Sequence, residues 1–308
     1  MNITDLKSKV MLSSVTISAW VARRYDGKVT EEVEKNHQAA GIGRFNKRLL
    51  PAHAPSYAEV LSIGNRIRSY YYGHTLKYDQ LGVRLLPTSI YMEVADRMRA
   101  MKDEFDLAVS VFLTNYLDLK EQARAEMHTL YNEADYPSLA ELSGKFAVKL
   151  SVLPFPDASQ FGVDLPNDVL TNLRTEIDQH VFASIQTANN DLVGRLYEAV
   201  SMMANRLYSS NNVRLDVANQ VRELCDLLPK LNFSDDPKLT HILTQAKTHL
   251  ATHTGAELKE SNVLRSQVAA KATEIEGLMA AFMGSVPSPM TDQVVGQSAQ
   301  LPPLRLAA

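Results

Sequence analysis

Two long periodic runs dominate the pattern of apolar and polar positions. In the first, Val94, Met98, Met101, Phe105, Ala108, Phe112 and Leu119 recur at alternating steps of four and three, with one longer step at the end. That spacing sets them on one stripe of an α-helix. Glu93, Asp96, Arg97, Lys102, Asp103 and Glu104 fill the other faces. The run covers about residues 90–131 and predicts a helix of roughly 60 Å.

The second run, about residues 167–209, follows Asn167, a good N-cap residue. It carries Leu170, Leu173, Ile177, Val181, Ile185, Ala188, Leu192, Leu196, Ala199, Met203 and Leu207. Its mean step of about 3.7 describes a straight or slightly right-handed stripe. Ala188-Asn189-Asn190 contains weak helix formers and predicts a kink. Stripes of this length are unstable when bare in water, so the two helices are expected to shelter each other as a rod. Parallel and antiparallel pairings both satisfy the pattern.

Shorter signals fill the rest. Val15, Ile17 and Ala19 alternate within a β-branched stretch, residues 10–22, and predict a strand. Tyr25-Asp26-Gly27-Lys28 reads as a turn, followed by a short helix from Glu31 to Gln38. Ser56-Tyr57-Ala58-Glu59 is a capping-box pattern, and Val60, Ile63 and Ile67 continue it as a helix. A hairpin around Gln80-Leu81-Gly82 leads to the first long helix. Ser138-Leu139-Ala140-Glu141 is a second capping box, and Phe146, Val148, Leu150 and Val152 alternate as a strand or an extended crossing. Helices are expected at residues 213–228, from Asp236-Pro237 to about Leu250, and at residues 257–283. The fold class is therefore mainly α: an elongated helical bundle with two long helices and a small N-terminal α+β element. Residues 1–88 form that basic element, residues 89–283 the bundle, and residues 284–308, with four prolines, a flexible tail.

Composition narrows this only slightly. With 308 residues, 45% hydrophobic and 22% charged, the chain is of ordinary soluble type and can bury a sizeable core. The single cysteine, Cys225, excludes an internal disulfide and suits a reducing compartment. No apolar run approaches the ~18 residues of a membrane span. Met1-Asn-Ile-Thr-Asp lacks the basic-then-apolar pattern of a signal peptide. A cytoplasmic protein without a membrane partner is expected. The net charge of −3 hides an asymmetry: residues 1–100 carry 15 Lys and Arg against 9 Asp and Glu, and the remainder 17 against 26. A basic front suits nucleic acid or an acidic partner, and solvated helix faces account for the same numbers.

The candidate chemistry is sparse. Arg44, Lys47, Arg48, Arg66 and Arg68, with Tyr70, Tyr71 and Tyr72, form a basic and aromatic set that suits stacked bases and phosphates. The alternative is that two of the tyrosines pack in the core while the arginines cover a helix end. Gly41-Ile-Gly43 lacks the Gly-Lys-Ser/Thr ending of a phosphate loop. His241, His249 and His253 fall at helical spacing, and His249 with His253 is the best metal pair. Leu250 stands where a zincin has its glutamate. Asp235-Asp236 reads as helix capping before it reads as a magnesium site, and Cys225 as a small buried hydrophobe. No catalytic constellation is recognisable, and no cofactor is expected.

Several stretches together carry a resemblance: Trp20-Val-Ala-Arg-Arg, Asn46-Lys-Arg-Leu-Leu-Pro51, Tyr71-Tyr72 ahead of Leu81-Gly-Val-Arg-Leu-Leu-Pro87, and Leu227-Leu-Pro-Lys-Leu-Asn-Phe-Ser-Asp-Asp-Pro237. Over about residues 12–280 the chain resembles a phage and bacterial family catalogued as domain of unknown function 3150, the last segment being the most specific. The Gly41-Ile-Gly43 neighbourhood and residues 88–91 depart from the family pattern. No activity is assigned to the family. Encoding near MoxR-like AAA+ ATPases and von Willebrand factor A proteins implies a partner or adaptor role. The leading expectation is a phage-encoded, non-enzymatic interaction protein in the host cytoplasm, with a protein partner such as an AAA+ ATPase. Self-association through the long helices also fits. A single-stranded nucleic-acid binder and a metal-dependent hydrolase using His249, His253 or Asp235-Asp236 are the alternatives.

Overall fold

The computed structural model describes residues 6–79, 82–158, 163, 166–209 and 215–285. The fold is mainly α, as expected. The chain divides into two compact units, residues 2–155 and 156–308. The boundary therefore falls after the first long helix rather than before it at residue 89. Gln80, Leu81 and residues 286–308, which hold the expected hairpin tip and nearly all of the tail, lie outside the described residues.

The first unit is built on β1 (Val10–Ser18), one of the two inner strands of a four-stranded antiparallel sheet. On one side β1 pairs with β5 (Arg84–Pro87), which in turn pairs with β4 (Leu76–Lys77). On the other it pairs with β6 (Ala147–Leu153), so the alternating Val148–Val152 run is a strand. Between these strands the chain forms β2 (Arg23–Tyr25), α1 (Gly27–His37), β3 (Asn46–Arg48), α2 (Pro55–Gly73) and α3 (Tyr91–Met127). A short helix α4 (Leu139–Ser143) precedes β6 and opens with the expected Ser138–Glu141 capping box.

At ~1.5 Å per residue, the 37-residue α3 is about 55 Å long. Its buried stripe is Val94, Met98, Met101, Phe105, Val109, Phe112, Tyr116, Leu119 and Ala123. Val109 rather than Ala108 is the fully buried residue between Phe105 and Phe112, and Tyr116 fills the long step before Leu119. The partner that covers the stripe is α2, through Val60, Ile63, Gly64, Ile67 and Tyr71, together with β6. The two helices are sequence neighbours joined through β4 and β5, and such neighbours tend to be adjacent in space. The expectation that the two long helices shelter each other is thereby corrected: each is covered within its own unit. Periodicity locates a stripe but does not name what covers it.

Two N-terminal starts also differ from expectation. α1 begins at Gly27, because Asp26 accepts a hydrogen bond from the Val29 N–H and caps the helix. α2 begins at Pro55 in the first turn after Ala54, so Ser56 lies inside the helix and caps nothing.

The second unit is a helical bundle of α5 (Asn167–Ser209), α6 (Leu215–Leu231), α7 (Pro237–His249), α8 (Gly255–Glu260) and α9 (Asn262–Ser285). The apolar stripe of α5 is buried from Val181 to Leu207 and is covered by α9 and α6. Helix runs through Ala188-Asn189-Asn190, and the buried Asn189 accepts a hydrogen bond from the Ser234 hydroxyl at 3.1 Å. The helix expected at residues 257–283 is broken at Ser261, whose hydroxyl accepts from the Leu264 N–H and starts α9. Buried Arg265 then spans the break, donating to the Leu258 carbonyl and to Asn262 Oδ1.

Candidate functional site

Four basic residues of the first unit, Arg23, Arg24, Lys47 and Arg48, lie on the β2–β3 ribbon. Its register sets Arg23 opposite Arg48, Arg24 opposite Lys47, and Tyr25 opposite Asn46. Side chains directly opposite in an antiparallel pair share a face, so the ribbon carries two rows of like charge.

One row is neutralised. Lys47 is 7% exposed, with Nζ 3.0 Å from Asp26 Oδ2 and 2.8 Å from Asp135 Oδ2. It also donates to the Leu130 carbonyl at 3.0 Å. Burial alone pushes the Lys47 pKa down, but hydrogen bonding and attraction from Asp135 and Asp26 outweigh it and hold the pKa above its ordinary value. The Asp26 carboxyl is held below its ordinary range, first by the hydrogen bond from Lys47 and then by the Val29 N–H. Arg24 lies 3.8 Å from the other Asp135 oxygen.

The second row is not neutralised. Arg23 and Arg48 are exposed, and among the described residues no ion pair or side-chain hydrogen bond reaches either guanidinium. Both border an apolar groove of about 440 Å³ whose walls include Trp20, Leu50, Pro51, Tyr57, Ala58 and Leu61. A shallower hollow shares Ala58 and Leu61 and continues along α2 past Ser62 and Asn65 to Ser69.

Aromatic packing fixes the groove's head. Trp20 stacks on Phe112 at 6.4 Å between ring centres and meets Tyr57 and Tyr116 edge-on at 6.2 and 5.9 Å. Each such pair contributes about 0.5–1.5 kcal/mol beyond area burial. The Tyr57 hydroxyl donates to the Trp20 carbonyl at 2.6 Å and accepts from the Ala22 N–H at 3.3 Å. The Leu49 N–H donates to the Ala22 carbonyl at 2.9 Å. The chain on either side of Arg23 and Arg48 is therefore tied to the first turns of α2 and the middle of α3.

The structure separates the basic and aromatic set read from the sequence. Lys47 is buried and paired, and Tyr71 is buried with its hydroxyl 3.0 Å from that of Ser13, so neither is presented to a nucleic acid. This corrects those two assignments: Lys47 points inward from its strand, and Tyr71 continues the α2 core stripe. Arg44 lies over the Tyr25 ring, 4.8 Å from its centre. Arg66 pairs with Glu104 of α3 at 3.1 Å, and Arg68 donates to Asn65. Tyr70 stacks on His74 at 4.0 Å, and the half-exposed Tyr72 ring carries Arg84 at 4.9 Å. Of that set, Arg48 lines the groove head and Arg66 borders the hollow that continues from it. Arg23, Trp20 and Tyr57 were not singled out as site residues. The available signal was a pair of basic dipeptides, Arg23-Arg24 and Lys47-Arg48, flanking one short helix.

The histidine pair is also taken apart. α7 ends at His249 with Leu250 as its C-cap, and His253 lies in the following loop, its carbonyl accepting from Arg222. The four-residue spacing therefore does not put His249 and His253 on one helical face. Among the described residues no group of three or more His, Cys, Asp or Glu is placed to hold a metal ion. Asp236 caps α7 through the Lys238 and Leu239 N–H groups. Cys225 is fully buried in α6, and burial, with Asp226 beside it, pushes its thiol up to about 11.

No protein-family model, no curated protein and no solved structure matches this chain. No described helix is long and apolar enough to cross a membrane.

Proposed function

We propose that the protein is a non-enzymatic interaction protein, an adaptor whose first unit receives a segment of another protein. The observation that supports this reading is the apolar groove beside the start of α2, headed by two arginines without acidic partners among the described residues. Grooves of this kind are used to take helices or extended segments. A reacting centre would instead gather acids, bases or metal ligands with perturbed pKa values in one cleft. The shifted carboxylates Asp26 and Glu133 of this unit are engaged in ion pairs with Lys47 and Lys120 rather than gathered around a cleft.

The resemblance to domain of unknown function 3150 extends the proposal to a phage-encoded adaptor in the bacterial cytoplasm, with a MoxR-like AAA+ ATPase as its partner. Affinity-tagged protein recovered from infected cells tests it. A second protein at comparable amount, lost when Leu61→Asp blocks the groove, is the expected result. Recovery of the chain alone, together with ester, phosphate or nucleotide turnover by the pure protein, would overturn it.

A further inference from the structure

Like charges directly opposite on two strands destabilise the pairing. On the β2–β3 ribbon the inner row, Arg24 and Lys47, is offset by Asp26 and Asp135. The outer row, Arg23 and Arg48, has no such offset among the described residues, although the backbone beside both is tied down at the edge of a groove. A locally unfavourable arrangement at the mouth of an apolar recess is where function displaces stability.

We propose that Arg23 and Arg48 form a carboxylate clamp at the head of the groove, which takes an apolar segment of the partner bearing an aspartate or glutamate side chain. This rests on the interaction reading above. Guanidinium groups bind carboxylates through paired N–H donors, and two of them on one face offset the mutual repulsion once an anion sits between them. The apolar walls at Leu50, Pro51 and Leu61 lower the local dielectric and strengthen that attraction. Ala54 and Ala58 project little from α2, so an apolar chain can approach the helix closely. The groove is less suited to nucleic-acid bases, because Trp20 is 8% exposed and held among Tyr57, Phe112 and Tyr116, which keeps its own ring from stacking on a base.

Selection of random peptides of about 12 residues, roughly 40 Å when extended, on the immobilised full chain provides the test. Enriched peptides are expected to carry Asp or Glu beside apolar residues. Their Kd is expected to rise about tenfold or more in the Arg23→Gln/Arg48→Gln double variant, and equally when the peptide's acid becomes its amide. Thermal unfolding of that variant is expected at or above the wild-type temperature, which separates lost binding from lost folding. Enriched peptides without acids, or unchanged binding by the double variant, overturn the clamp and leave the interaction reading standing. Failure to enrich any peptide, with salt-sensitive binding of an oligo-dT strand that the double variant loses, overturns both. Failure to enrich any peptide without such strand binding overturns the clamp, and recovery of a stoichiometric partner from cells then decides the interaction reading separately.

Discussion

Lys47 Nζ lies 2.8 Å from Asp135 Oδ2 and 3.0 Å from Asp26 Oδ2, joining β3, the N-cap of α1 and the turn after α3 through one buried ammonium. Removing one partner of such a group leaves buried charge without compensation. Lys47→Met is expected to lower stability by about 3 kcal/mol, the low end of the usual range because both carboxylates keep some contact with water. Adding Asp135→Asn is expected to restore part of the loss. Urea unfolding of the single and double variants measures both. The pH dependence follows from the signs. Asp26 is depressed, so its contribution is present above its ordinary value of 3.8 and fades as pH falls through the lower folded value. Lys47 is raised, so its contribution is present below 10.5 and fades as pH rises through the higher folded value. Lys47→Met is expected to lose that alkaline edge.

Glu133 gives a sharper titration. Hydrogen bonds from Lys120 and then Tyr131, with help from Arg124, hold its carboxyl down to about 2. Carboxyl NMR is expected to show its midpoint well below the ordinary 4.5 at low salt. The effect on stability is present above 4.5 and fades as pH falls towards about 2. Because Glu133 is exposed, added salt is expected to move the midpoint upward. A salt-independent midpoint near the ordinary value would show that the network does not hold in solution.

What the sequence made legible is the set of elements whose burial is repeated often enough to make a period. The stripe of α3 and that of α5 from Val181 onward are of this kind, and so is Tyr71, four residues beyond Ile67 on the α2 core face. Lys47 was not legible. A three-residue strand offers no period, and the acids that neutralise it stand at positions 26 and 135. The cover of α3 is not legible in the sequence, because an amphipathic face fits any complementary face, and only chain connection and sheet register select α2. The break at His249 did leave a signal. Thr254-Gly255-Ala256-Glu257 forms a capping box, which starts a new helix and denies His253 a place on the old one.

Gly64 sits inside α2 where α2, β1 and α3 meet. A Cβ there would lie 3.5 Å from Ile17 Cγ2 and 3.8 Å from Phe105 Cε2, ordinary contact distances. Alanine is favoured over glycine in a helix interior by about 1 kcal/mol. Gly64→Ala is therefore expected to stabilise the protein by about 0.5–1 kcal/mol, and Gly64→Leu to destabilise it by overpacking. Thermal and urea unfolding of the two variants check this. A destabilising alanine would mean that the helix and strand are closer than these distances allow.

Cys225 is a further group whose chemistry the fold alters strongly. It lies on the α6 face that also buries Val221 and Leu228, and its pKa of about 11 reflects burial first and Asp226 second. Thiolate is the reactive form, so the folded protein is expected to resist a thiol reagent at pH 8 and to react fully once unfolded. Native labelling should then proceed only through opening of the second unit, with a rate that falls when that unit is stabilised. Cys225→Ser is expected to cost about 1–3 kcal/mol, because it buries a hydroxyl among apolar neighbours. Rapid stoichiometric labelling of the native chain would contradict this and mark Cys225 as an accessible, activated thiol.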